Sequence, residues 1–397
     1  MSAVMNPATS TAATAATNVV TNAVTSAAAT AAVAKPAPKP ERPEEAELSY
    51  PFKDIPALGE VFDVTPAGLA PNAPRVRWLR MNLPFALDHI NLWLLEDEID
   101  GKACWTAIDC GVGLAPTREA WETIFATQLE GLAIGRVIIT HAHPDHIGNA
   151  EWLCTRFNCM LTATAGEYFW ARIHQGNLSG FDNDSQVAHF RRHGLSPAMC
   201  DEIDQGRKGY YATLVPSLPN TFLRMREGDT LTIGGRSWLV YCGFGHSAEH
   251  ASLYCPALNI VISGDMLLPR ISTNVGVWPN EPEANPLKWF LDALSLYERL
   301  PADVLVLPSH GRLFRNARPR VRQLREHHRD RLAETLTACD QPCSAADIIP
   351  VMFHRALDAH QTTFAIGEAL AHLHLLRDEG KVKGAAGADG VVRFART

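Results

Sequence analysis

From about Leu58 onward the apolar positions alternate between two rhythms. Short runs rich in aliphatic and aromatic residues predict strands at Val76–Met81, His89–Leu95 and Cys104–Asp109. Gly111 to Gly113 marks a turn, and Thr117 to Leu129 has the spacing of an amphipathic helix with Thr117 as its N-cap. Residues 135–140 form a short buried strand, and the next helix opens near Pro144, where a missing N–H costs nothing. Strands resume at Thr230–Ile233, Ser237–Tyr241, Ala251–Tyr254 and Ile260–Ser263. A helix over Pro286–Leu300 and a last strand at Val304–Leu307 follow. Strands interleaved with helices predict a layered α/β domain over residues 48–316. Residues 166–222 break the rhythm with many turn formers and are read as a helical insertion or lid. Its His174, His189 and His193 are expected at the surface, and it also carries the pair Tyr210 and Tyr211.

Residues 317–397 have another texture. Helices are predicted at Arg318–Leu336, Ser344–Ala356 and Thr363–Asp378. Lys381–Lys383 and Val391–Phe394 then form a hairpin, an order that resembles a winged-helix module. At the other end, residues 1–34 are almost wholly Ala, Thr, Val, Ser and Asn with no charged side chain, and Pro-rich, charged sequence follows to residue 47. Such a segment buries too little apolar area to offset its ordering entropy, so residues 1–47 are read as a disordered tail.

Composition narrows the function classes. The chain has 397 residues, enough for two or three structural units, and 46 % of them are hydrophobic, ample for a packed core. A net charge of −7 supplies no general basic field for nucleic acid or an anionic membrane. No apolar run is long enough to span a bilayer. The nine cysteines include no CxxC pair and fit reduced, buried thiols. The N-terminal run lacks the basic start of a signal peptide. These features together predict a cytoplasmic protein.

Candidate chemistry is concentrated at four places. His141, His143, Asp145 and His146 lie within six positions just after a predicted strand, where open α/β folds place their sites. His246 lies in Gly243-Phe-Gly-His-Ser247, Asp265 in Ser263-Gly-Asp265 and His310 in Leu307-Pro-Ser-His-Gly311. Each is a ligand-type residue beyond a hydrophobic strand and beside glycine. Imidazole suits zinc, and carboxylate suits zinc or a harder ion.

The run Thr140-His-Ala-His-Pro-Asp-His-Ile-Gly148 resembles the signature of the metallo-β-lactamase superfamily, and the three later elements resemble its remaining ligand motifs in order. The resemblance covers about residues 58–316 and implies an αββα sandwich, here followed by the winged-helix-like module. It implies two Zn2+ per chain, with Fe or Mn as alternatives. His141, His143 and His246 would hold one ion, Asp145, His146 and His310 the other, and Asp265 would bridge them. The flavodiiron branch carries glutamate where this chain has His143, which speaks against a redox di-iron centre. The implied activity is hydrolysis of a small-molecule ester or thioester, as in the glyoxalase II-like branch. Two dications sharing a water lower its pKa, and Asp145 orients that water as the catalytic residue. The alternatives are a metallo-endoribonuclease and, ranked lower, a lactonase or β-lactamase.

Weaker features have bland readings beside functional ones. His250 is read as a satisfied core or surface histidine before a substrate contact, and Arg270 as a salt-bridge partner before an anion contact. Phe85, Asp88 and His89 are read as packing at a turn that could line the mouth of the site. Eight arginines between Arg312 and Arg331, against Glu326 and Asp330, are read as a solvated face, with RNA or a coenzyme phosphate as the alternative. The last helix, with Glu368, His372 and His374, is poor in bases for reading DNA. It is expected to serve as a dimer contact, giving a homodimer, or as a wall of the site.

Overall fold

The computed structural model describes residues 47–70, 73–207 and 209–397, so the tail predicted for residues 1–47 lies, apart from Glu47, outside the described residues. The chain opens with strands β1 (Val61–Asp63), β2 (Val76–Asn82), β3 (His89–Ile99) and β4 (Lys102–Ile108), then helix α1 (Ala115–Thr127) and β5 (Ile134–Ile138). Helices α2 (Pro144–Ile147) and α3 (Ala150–Phe157) lead to β6 (Leu161–Ala163). The segment read as an insertion is helical: α4 (Ala165–Gln175), α5 (Asn183–Arg192), α6 (Pro197–Arg207) and α7 (Tyr210–Leu214). Strand β7 (Leu223–Arg224) closes a sheet in the order β1 to β7, antiparallel up to β4 and parallel beyond it.

The second sheet comprises β8 (Thr230–Ile233), β9 (Arg236–Gly243), β10 (His250–Cys255), β11 (Ile260–Gly264) and, after helices α8 (Pro286–Ala293) and α9 (Ser295–Arg299), β12 (Leu305–Pro308). β8 to β11 are antiparallel neighbours, and β11 pairs with β12 in parallel. Alternation along each strand builds the layers. Trp78, Trp93, Leu95 and Ile108 of the first sheet pack against Trp238, Leu253, Ile262 and Leu307 of the second. The opposite faces are also apolar. Leu79, Leu92, Leu94 and Trp105 meet Trp121 and Ile124 of α1 and Leu153 of α3, whereas Tyr254, Val261 and Val306 meet Leu287 and Phe290 of α8. Two sheets covered by helices on both outer faces make an αββα sandwich.

The C-terminal region contributes α10 (Ala317–Ala338), α11 (Ala345–Met352), α12 (Ala359–Asp378) and the antiparallel hairpin β13 (Val382–Ala386) and β14 (Val392–Arg396). Val321, Leu324, Ile366 and Leu370 of α10 and α12 share one apolar cluster with Phe290, Val304 and Phe314. α12 is buried nearly all round, as expected of a central core helix. Glu368, His372 and His374 are therefore interior, and no base-reading face is open there.

Several local expectations need correction. Thr117 is not an N-cap: α1 begins at Ala115 with Leu114 as the cap residue and Pro116 in the first turn. The Thr117 side chain instead turns inward, and its Cγ2 would stand 2.8 Å from a Cβ placed on Gly111. The helix read over Pro286–Leu300 is two helices joined at Leu294. His189 and His193 are buried rather than at the surface, because they flank Phe190, which α5 drives into the cluster shared with α12. His174 is half-buried, with its ring centre 3.4 Å from that of Trp170.

Candidate metal centre

Four strands end at one place. The loop after β5 carries His141 and His143, and α2 carries Asp145 and His146. His246, Asp265 and His310 follow the ends of β9, β11 and β12. The ligand atoms of His141, His143, His246 and Asp265 lie within 4.8 Å of one another, and those of Asp145, His146 and His310 form a second such group. Asp265 faces both. Its Oδ2 is 3.5 Å from His246 Nε2, and its Oδ1 is 3.6 Å from His146 Nε2 and 3.4 Å from His310 Nε2. Asp145 Oδ2 is 3.7 Å from His146 Nε2 and 3.5 Å from His310 Nε2. The structure thus brings all seven candidates into one cluster.

Hydrogen bonds outside the cluster orient its imidazoles. His146 Nδ1–H donates to Asp109 Oδ2 at 2.8 Å, His246 Nδ1–H to the Asn274 carbonyl at 2.7 Å, and His310 Nδ1–H to the His89 carbonyl at 2.8 Å. Each leaves Nε2 facing the cluster. His141 Nε2 then lies 3.2 Å from His246 Nε2 and 2.9 Å from His143 Nδ1. Burial, then the neighbouring imidazoles, pushes the pKa values of His141 and His143 well down, so protons do not relieve this crowding. His146 Nε2 and Asp265 Oδ1 are buried with no hydrogen-bond partner. Converging ring nitrogens and carboxylate oxygens, two of them buried without a partner, fit divalent cations, which would take the place of protons there.

The charges point the same way. Burial opposes a proton on His146, but Asp109, Asp145 and Asp265 together outweigh it and raise the pKa to about 10. Burial also works against ionised Asp265, yet His310 and His146 hold its carboxyl well below the usual range.

Residues without motif character hold the frame. Asp109 accepts from Thr140 N–H at 2.7 Å and Thr140 O–H at 2.8 Å, which fixes the start of the histidine loop. Buried Glu167 accepts from Ala142 N–H, Glu249 N–H and the Ser247 hydroxyl, tying that loop to the segment after His246. Asn91 donates to the carbonyls of Pro308 and Gly311, clamping the His310 turn. Sequence reasoning missed all three. Asp109, an acid at a strand end near glycine, carried the same signal as Asp265. His250 is interior and accepts from Asp265 N–H at 3.1 Å. A Cβ at residue 264 would stand 2.2 Å from its Nε2, and φ there is +53°, so glycine is required.

The centre opens on a cavity of about 640 Å3, walled by Phe85, Trp170, Tyr210, Trp278 and Phe364, with His174 and His360 among its lining. Phe85 thus lies on the cavity wall. Asp88 and His89 are outside the cavity lining; His89 is buried, bonded to Asp88 and accepting from Gly311 N–H. Tyr211 O–H donates to the Ala142 carbonyl and fastens the insertion to the histidine loop. The start of α12 supplies another wall. Arg270 is exposed and outside the cavity lining.

The arginine run is largely engaged within the molecule. Arg320 donates to the carbonyls of Leu268 and Ile271, Arg318 to that of Leu300 and Arg331 to that of Met352. Arg322 pairs with Glu47 and Arg325 with Glu298.

Comparisons with known proteins agree with this geometry. The family described as Metallo-beta-lactamase superfamily matches residues 86–310, and that described as Metallo-beta-lactamase-like, C-terminal domain matches residues 332–397. A solved beta-lactamase domain protein from Burkholderia ambifaria is 50 % identical, covers 89 % of this chain and 99 % of its own, and superposes with a TM-score of 0.82. A metallo-beta-lactamase family protein from Thermus thermophilus is 28 % identical, with 81 % and 98 % covered and a TM-score of 0.67. A probable metallo-hydrolase, YqjP, from Bacillus subtilis (strain 168) is 23 % identical over 312 residues, 76 % of this chain and 92 % of that protein. With a match over most of the sandwich and a candidate metal cluster at its strand ends, the chain belongs to the metallo-β-lactamase superfamily of metal-dependent hydrolases.

Proposed function

We propose that the chain hydrolyses a small-molecule ester or thioester at a binuclear centre. The observation that carries this reading is the Asp265 carboxylate, set between two histidine groups at the mouth of an aromatic-walled cavity sized for a small ligand. His141, His143 and His246 would hold one ion, and Asp145, His146 and His310 the other, with Asp265 shared. Two bound dications, zinc, iron or manganese, would supply Lewis acidity and lower the pKa of a bound water. Asp145 lines the cavity, and its carboxylate would orient that water and take its proton. The water oxygen would add to the acyl carbon, the C–S or C–O bond would then break, and the proton held by Asp145 would pass to the departing oxygen of an ester. A thiolate departs with little need of protonation, its conjugate acid having a pKa of about 8–9. The aromatic walls exclude bulk water and hold the acyl chain.

The internal engagement of the arginines favours a small substrate over RNA, and the aromatic-walled cavity suits an acyl chain better than a polynucleotide. A screen of metal-loaded protein on thioesters, lactones, β-lactams and single-stranded RNA tests the reading. Arg322→Glu with Arg325→Glu should change thioester hydrolysis by less than ~5-fold, as surface substitutions do. Metal-dependent RNA cleavage that fails between about 50 and 200 mM salt, with no ester or thioester turnover, would replace this reading by the nuclease one.

A further inference from the structure

The same cavity holds a second polar feature, Arg207, the last residue of α6. Its guanidinium carbon lies 5.0 Å from the ring centre of Tyr210 and 5.6 Å from that of Phe364. Its Nη1 is buried and has no hydrogen-bond partner. Burial lowers its pKa from the usual arginine value, and the one neighbour offsetting this is the Tyr210 hydroxyl rather than a carboxylate. Besides Asp145 and Asp265 of the candidate metal cluster, two acids line the cavity, and both cap helices: Asp182 accepts from Ser185 N–H and Asp358 from Gln361 N–H. Among the described lining residues Arg207 is the one arginine or lysine.

Rings beside a guanidinium stabilise the cation but do not satisfy its N–H donors. A largely buried guanidinium with an unmet donor is costly unless a ligand completes it, and such groups cluster at binding sites. The guanidinium fork matches a planar, two-oxygen anion. A single guanidinium among the described lining residues balances a monoanion better than a phosphate dianion.

We propose that Arg207 recognises a carboxylate on the substrate, so that the preferred substrates are esters or thioesters whose acyl chain carries a free carboxylate, as in the half-thioester of a dicarboxylic acid. The inference rests on the ester or thioester reading above. It makes Arg207 a specificity residue, and aromatic walls such as Phe85 and Phe364 the surfaces along which the methylene chain lies.

The test uses the metal-loaded full chain and two N-acetylcysteamine thioesters, glutaryl with a terminal carboxylate and pentanoyl with a methyl in its place. The wild type should favour the glutaryl thioester in kcat/KM. In Arg207→Gln that preference should fall by about 10- to 100-fold, the scale of hydrogen bonds to a charged group, mainly through KM. The readout is the ratio of the two kcat/KM values within each variant, and the melting temperature serves as the folding control. Arg207→Lys should restore part of the preference. A wild type indifferent to the carboxylate, or an Arg207→Gln variant that keeps the preference, overturns the inference while leaving the reaction intact. If neither thioester is turned over, the reaction reading fails on its own, and calorimetric titration with glutarate decides the site. Binding at least tenfold weaker in Arg207→Gln supports the carboxylate site, and equal or absent binding overturns it.

Discussion

Asp109 Oδ2 lies 2.8 Å from His146 Nδ1, with both side chains fully out of water, and the same carboxylate takes the N–H and O–H of Thr140. Asp109 sits at φ +62° just past the end of β4, one strand away from the loop it holds. One buried acid therefore sets both the direction of a ligand and the start of the histidine loop.

Asp109→Asn replaces one accepting oxygen with a donor, so at least one of the three donors is left unpaired. An unsatisfied buried group costs about 1–3 kcal/mol, and loss of a partner behind a ligand weakens metal binding by about 10- to 100-fold. Chelator competition and melting of the metal-free protein measure the two effects separately. Unchanged metal affinity would show that His146 needs no help from Asp109.

Protein purified without chelator should carry close to two equivalents of zinc, iron or manganese per chain by elemental analysis. Asp265→Ala should lose at least one equivalent, because the two carboxylate oxygens face different histidine groups. Activity in protein with no bound transition metal would sink the binuclear reading.

Asp145→Asn keeps the shape of the side chain while removing its charge. At saturating metal, kcat should fall by about 100-fold or more with a smaller change in KM, the pattern of a lost transition-state interaction. Wild-type kcat under those conditions would make Asp145 a ligand alone.

The buried histidines of α5 make an acid-pH prediction. Burial, then the proximity of His374 and Arg192, lowers the pKa of His189 to about 4. Burial, then His189, His374 and Arg192, lowers that of His193 to about 3. In the unfolded chain both lie near 6.5, so the unfolded state binds more protons as pH falls, and stability drops from about pH 6.5 down towards 4. Glu368 acts in the opposite direction, since burial raises its pKa to about 7 and the folded state then gains protons between about 4.5 and 7. The two histidines contribute on the order of 1–2 kcal/mol each by pH 5. Urea midpoints measured at pH 7 and pH 5 should converge in a variant carrying His189→Gln and His193→Gln. Equal pH dependence in variant and wild type would assign the acid sensitivity elsewhere.

The seven candidate ligands were legible because each lies at or shortly beyond the end of an apolar strand, Asp145 and His146 on the short helix α2 that follows β5, and that is a local signal. The strands themselves were legible for the same reason. β3 reads as an apolar run because both its faces are covered, Trp93 and Leu95 by the second sheet and Leu92 and Leu94 by helices. Local pattern failed where a distant partner decides the outcome. Thr117 has the chemistry of a cap, but its place against Gly111 comes from packing. His189 and His193 look like surface residues until α12 is laid beside them.

By itself, then, the sequence determined the order of strands and helices, the ligand chemistry and the family, because these depend on neighbours a few residues apart. Tertiary structure alone decided which groups hold that chemistry in place. Asp109 reaches Thr140 across 31 positions, and Asn91 reaches Gly311 across 220. It also decided that Arg207 lies beside Phe364 in the cavity of the metal ligands. A hydrogen bond or a buried charge is defined by distance in space, which the spacing of residues along the chain does not contain.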